Sequence, residues 1–484
     1  MGQDLVMKKF SLLLGLLVMT GSAVPTAGVA ATTKSGATCS KAGAVSVVAG
    51  LKFTCIKSGK KLIWDKGVAT PKPAPTQSAA PAPTQSAAPA PTQSAAPAPT
   101  QSAAPAPKPS ATRTKVSFKA PMPITLPVPQ NGLITFSNIL DHIADIPGTS
   151  YQRVQDVIAA NSPVTVPNSV YIGPTTTIYV NGGVPRIQQI LAREQQLWNG
   201  FTQPSFYAMY IYNAADEPAT EQKFTADFMA KGYNYKSAEY LNGPIRAMAG
   251  NCSQQLSPGK FTGPLTECRG ANSGGYVDSS DSFLHLGQSA NSANDPNTSD
   301  GVVIAHEYNH AVQGGQWINN PLCGDPSGAG ERTVCNRSSM ANTGFSACWI
   351  HEGLPTAIGS AVAETSFASY MNFRKGLPYG WGPTTITDYT QSSLRDYLFN
   401  QSAPTCYQNG PLYTLGYSVG TLTTEALIAI GGPQSVMAIF SKGSEGENFT
   451  TAFQSVYGIS WSDASTILSK VLAAEYATFG PPPK

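Results

Sequence analysis

Charge is scarce in this chain. Asp, Glu, Lys and Arg supply only 12% of its 484 residues, against ~25% in an average globular protein. The 31 basic and 28 acidic side chains nearly cancel, leaving a formal net charge of +3, which gives no basic surface strong enough to argue for nucleic acid. No apolar run reaches the ~20 residues that a membrane span needs, and a hydrophobic fraction of 41% excludes a highly charged disordered protein. The cysteines show no C-x-x-C spacing, so a zinc knuckle is excluded.

What is present begins with a leader. Lys8 and Lys9 precede an apolar run from Phe10 to Met19, and small residues continue through Val29, Ala30 and Ala31. That order predicts a secretory signal over residues 1–31 and a secreted or cell-envelope-associated protein. Eight cysteines follow, at 39, 55, 252, 268, 323, 335, 348 and 406, an even number in an exported chain, so disulfides are expected. Short separations favour Cys39 with Cys55, Cys252 with Cys268 and Cys323 with Cys335, leaving Cys348 with Cys406.

The octapeptide Pro-Ala-Pro-Thr-Gln-Ser-Ala-Ala runs four times between Pro73 and Ala104. Nothing in it can form a core, so residues 71–117 are expected to be a linker. In polyproline II form, at ~3.1 Å per residue, it would reach on the order of 100 Å. Residues 32–70 hold Cys39, Cys55, Phe53 and Trp64 in too little chain for an independent core, so a disulfide must staple them. Lys41, Lys52, Lys57, Lys60, Lys61 and Lys66 make this module basic, which suits a solvated face or contact with an anionic cell envelope. The stretch Cys39 to Trp64 resembles small disulfide modules on exported proteins of Gram-positive bacteria.

Residues 118–484 have the composition of a globular domain. Phe136, Ile139, Leu140 and Ile143 recur at helical spacing, as do Tyr151, Val154, Val157 and Ile158 after a break at Pro147-Gly148. Ser169 to Val180 and Phe206 to Tyr212 are strand-like, Pro185 to Trp198 and Thr220 to Met229 read as helices, and Ser282 to Leu286 as a short strand. Beyond Asp300 the pattern is almost wholly helical. The expected class is α+β: a mixed α/β sheet half, then a mainly helical half, with the site between them.

The run from Gly301 to His310 contains H-E-x-x-H in an apolar, helix-forming context. Positions four apart lie one turn above each other, so His306 and His310 present both imidazoles to one ion, and Glu307 follows the first ligand as a general base. Nitrogen ligands with one carboxylate suit Zn²⁺. For the third ligand, the extended H-E-x-x-H-x-x-G-x-x-H form fails, because Gln313 and Gln316 stand at the Gly and last His positions. Glu331 and Glu352 remain, Glu331 in the loop expected between Cys323 and Cys335 and Glu352 at the start of an apolar helix.

The Trp349-Ile350-His351-Glu352-Gly353 block resembles the third-ligand helix of the gluzincin metallopeptidases, the clan that contains thermolysin and the zinc aminopeptidases. A later block, Tyr417-Ser418-Val419-Gly420, is similar to the Tyr-x-x-Gly helix of the aminopeptidase branch. The resemblance covers Gly301 to Phe440 and implies a thermolysin-like fold, zinc held by His306, His310 and Glu352, and Tyr417 as donor to an oxyanion, with Tyr413 its competitor. It implies a peptide or protein substrate. The chain departs from the aminopeptidases in lacking their G-x-M-E-N amine-recognition run, which points to endopeptidase cleavage, and in a longer His310-to-Glu352 gap.

Four further residues enter as weaker candidates. His285 lies on the strand before the metal helix, where gluzincins place the edge that pairs with substrate backbone, although a core position suits it as well. His351 is expected to point away from the metal. Asn309 and Gln313 are candidates to support the ligands from behind. The competing reading is a cell-surface binding or adhesion protein that keeps the metal without turnover; retention of Glu307 argues against it.

Overall fold

A computed structural model describes residues 37–39, 45–48, 51–58, 61–66, 68–69, 122–230, 245, 247–252, 255–257, 260–261, 267–275, 281–317, 345–378, 388–400 and 410–479. The expected signal segment, the repeat linker, Glu331, and the pairings Cys323–Cys335 and Cys348–Cys406 fall wholly or partly outside them. The chain divides into two units, Met1–Ala104 and Pro105–Lys484.

In the first unit, β1 (Val45–Val48), β2 (Leu51–Ser58), β3 (Lys61–Trp64) and β4 (Val68–Ala69) form a small antiparallel sheet in which β2 pairs with all three others. Cys55 stands opposite Trp64 and is bonded to Cys39. Among the residues of this unit whose burial is described, Phe53 and Cys55 are the buried hydrophobic ones, and the disulfide supplies a constraint that so small a module needs.

In the second unit, α1 (Ile146–Ala160) starts with Pro147 in its first turn. Pro147 therefore opens this helix, where its missing N–H costs nothing, and does not interrupt one. The preceding apolar positions form two single turns, Ile139–Asp141 and Ile143–Asp145. A four-stranded sheet then assembles from β5 (Asn168–Ile172), β6 (Tyr207–Tyr212), β9 (Gly270–Gly275) and β10 (Ser282–Gly287), in the order β5-β6-β10-β9. The first three are parallel and β9 pairs antiparallel with β10; a separate short hairpin joins β7 (Gln255–Ser257) to β8 (Lys260–Phe261). The strand expected over Ser169 to Val180 is shorter than its β-branched content suggested.

β6 is buried at every position, which the sheet's two covered faces explain. On one face Tyr207, Met209, Ile211, Leu284 and Leu286 join the main core. On the other, Ala208, Tyr210, Phe283 and His285 pack with Phe224 and Phe228 of α3 (Glu217–Ala230). A second disulfide, Cys252–Cys268, closes the latter region as expected.

The helical half follows: α4 (Val302–Gln316), α5 (Cys348–Ala363), α6 (Phe367–Arg374), α7 (Gln391–Asn400), α8 (Gly410–Gly431), α9 (Pro433–Ser444), α10 (Phe449–Tyr457) and α11 (Trp461–Phe479). With α2 (Gly183–Leu197), the arrangement is α+β. Helix α4 packs on β9 and α2 on one side and on α5 on the other, while α5 lies between α4 and α8. A buried ionic group ties this half together: Arg374 bonds Glu425 of α8 and Glu475 of α11, and Tyr370 donates to Glu425.

Candidate metal centre

Helix α4 begins at Gly301, whose φ of 82° only glycine adopts without strain; a side chain there would also strike Ile190. Every residue from Val302 to Gln313 is buried, so the polar members of H-E-x-x-H must find partners inside the protein. His306, His310 and Glu352 converge, their ligand atoms lying within 4.8 Å of one another. His310 Nε2 is 3.0 Å from His306 Nε2 and 3.2 Å from Glu352 Oε2, and the third side is 3.5 Å. A tetrahedral ion with bonds of ~2.0–2.1 Å separates its ligands by ~3.3 Å, so the triangle has the size of one tetrahedral face.

The surrounding hydrogen bonds decide where the imidazole protons lie. The Thr356 hydroxyl donates to the Glu352 carbonyl at 2.9 Å, so its oxygen accepts from His306 Nδ1 at 3.2 Å. Gln313 Nε2 donates to the His351 carbonyl at 3.3 Å, which turns Gln313 Oε1 to accept from His310 Nδ1 at 2.8 Å. Both Nδ1 protons are thereby committed outward, and both Nε2 lone pairs face a carboxylate oxygen. Three buried electron-pair donors at such distances repel one another without a cation. The donor set therefore fits a metal ion.

Glycines set the spacing of the helices that bear these groups. A side chain at Gly359 would meet the His306 backbone N at 2.9 Å, so α5 and α4 touch there. Gly353 and Gly420 mark the crossing of α5 and α8: a Cβ on Gly353 would meet Gly420, and one on Gly420 would meet Trp349. Gly416 backs onto Cys348 and Glu352: a Cβ there would lie 3.0 Å from Cys348 Sγ and 3.3 Å from Glu352 Cβ. This close crossing brings the half-buried Tyr417 against the metal-binding face, its ring stacked on His306 with centroids 5.7 Å apart and planes 20° apart. The Glu-Gly and Tyr-x-x-Gly blocks thus interlock.

Tyr413 lies on α8, with its side chain outside the described residues. Gln313 supports a ligand directly. Asn309 does not: its amide bonds Glu194 at 2.9 Å and the Ala305 carbonyl at 2.8 Å, and accepts from Trp198 at 2.9 Å. Glu194 is fully enclosed, and burial pushes its carboxyl up to about 8. The His351 ring lies 5.1 Å from that of His310, but it is not one of the three converging groups, and its Nδ1 lies 3.4 Å from Ser346 Oγ.

His285 takes the core position and not the substrate-pairing edge. Its strand is interior, flanked by β6 and β9, and its ring is enclosed by Phe224, Phe283 and Tyr210 with neither nitrogen bonded. Desolvation alone holds it at about 3, uncharged. The edge next to α4 is β9, whose Gly-Ala-Asn-Ser-Gly-Gly sequence carries no strand signal.

No family model, curated protein or solved structure matches this chain.

Proposed function

We propose that the second unit is a zinc-dependent peptidase of gluzincin type, exported and acting on peptide or protein substrates. The supporting observation is the buried triangle of His306 Nε2, His310 Nε2 and Glu352 Oε2, with both Nδ1 protons bonded away from it. Two imidazoles and one carboxylate leave a further position open, as catalytic sites do. Zinc held there supplies Lewis-acid polarisation of a carbonyl and lowers the pKa of water. Glu307, adjacent to the first ligand and buried, accepts the proton of the attacking water and delivers it to the leaving amine. Tyr417 donates to the oxyanion. β9 ends the described strand order beside α4 and is the strand to which an extended substrate would pair.

Digestion of a peptide library with and without chelator tests this reading, together with Glu307→Ala. The variant is expected to keep metal and fold while losing cleavage. Chelator-resistant cleavage, or full activity in Glu307→Ala, overturns it. Endopeptidase action is read from the missing amine-recognition motif, since a buried ammonium without an acidic partner costs several kcal/mol. An N-acetylated peptide should be cut as well as its free-amine twin, and loss of cleavage on acetylation makes the protein an aminopeptidase.

A further inference from the structure

Helix α5 carries Pro355 in its interior, where a proline ordinarily costs ~3 kcal/mol because it lacks the N–H and its ring crowds the carbonyl four residues earlier. That carbonyl belongs to His351. It accepts instead from Gln313 Nε2 of the neighbouring helix, at 3.3 Å. The opposite end of the same amide faces His310 Nδ1 at 2.8 Å. Gln313 and His351 are fully buried, so no bulk water competes for these groups.

The direction of the amide has a chemical consequence. With Oε1 toward His310, the ring carries its proton on Nδ1 and turns a lone pair toward His306 and Glu352. With the amide reversed, its NH₂ would face Nδ1, forcing the proton onto Nε2, where it occupies the ligand position. An amide has no strong preference between its two ends unless its partners differ, and here the difference is the His351 carbonyl. A residue with an N–H at position 355 would compete with Gln313 for that carbonyl through the ordinary helical bond along the axis, weakening its hold on the amide.

We propose that Pro355 is a positioning residue of the metal centre: by withholding the helical hydrogen bond from the His351 carbonyl, it fixes the Gln313 amide and thereby the tautomer in which His310 binds metal. The inference rests on the zinc site proposed above. A purely structural proline and a positioning proline differ in sign. Pro355→Ala restores a helix N–H, so the chelator-treated variant should resist denaturant at least as well as wild type. Its zinc affinity, measured by competition with a chromophoric chelator, should nevertheless fall by about 10–100-fold.

Gln313→Glu supplies the second arm, because a carboxylate accepts from Nδ1 through either oxygen and needs no orientation. In the Gln313→Glu background, where no amide orientation is left to lose, adding Pro355→Ala should cost less than threefold in zinc affinity. Unchanged affinity in Pro355→Ala, or an equal loss in both backgrounds, overturns the proposal while leaving the zinc site intact. Wild type that binds no zinc overturns both.

Discussion

Replacing Gly420 by alanine tests whether the α5–α8 crossing sets the geometry of the metal centre. The new Cβ would overlap the Trp349 carbonyl oxygen and lie 2.9 Å from both Trp349 C and Cα. These are backbone atoms of a buried helix, so no side chain can rotate out of the way. Restoring an ordinary contact of ~3.5–4.0 Å requires the helices to part by roughly 1 Å. Overpacking of this kind costs about 1–3 kcal/mol. The same displacement carries Tyr417 off the His306 ring and loosens Gly416 from Glu352, so zinc affinity should weaken by about tenfold or more. Denaturant midpoints in chelator give the first quantity and chelator competition gives the second. Gly376→Ala, at an exposed position whose nearest contact is 3.5 Å, serves as the neutral control. If Gly420→Ala matches wild type in both assays, the crossing does not control the site.

Three smaller perturbations follow from other contacts. Thr356→Val keeps shape but removes the acceptor for His306 Nδ1; zinc competition should show a loss of about 10-fold or more, with the fold retained by circular dichroism. Glu194→Gln must set an NH₂ against either Trp198 Nε1 or Asn309 Nδ2, because each carboxyl oxygen now accepts from one of them, which an NH₂ cannot do; equilibrium unfolding should show about 1–3 kcal/mol of destabilisation. Burial depresses the folded pKa of His285 from the ordinary 6.5 to about 3, so its contribution is present above pH 6.5 and is lost as pH falls towards 3. Between pH 7 and pH 5 that loss is about 2 kcal/mol. Unfolding in chelator should show His285→Leu losing correspondingly less stability than wild type over that interval.

Legibility in the sequence followed local chemistry. H-E-x-x-H was readable because its two histidines repeat with the helical period, and Tyr207–Tyr212 because it is a short, aromatic-rich apolar run. Strand β9 was not, since glycine, asparagine and serine have no strand preference of their own and its ladder to β10 holds it in place. For His285 the sequence left an edge position and a core position both open, because strand order is a property of the folded sheet, and the sheet places it in the core. Thr356 stood one helical turn beyond Glu352 and could have been found by that spacing. The role of Gly353 and Gly420 could not, because each matters through a helix distant in sequence. Pro355 reads in isolation as a helix breaker, and only the position of Gln313 gives it a purpose.

Metal content bears most directly on the central claim. Purified protein should contain one zinc per chain by mass spectrometry, and Glu352→Gln should lose it while Glu331→Gln retains it. Absence of stoichiometric zinc from wild type, or its retention in Glu352→Gln with loss in Glu331→Gln, would contradict the account.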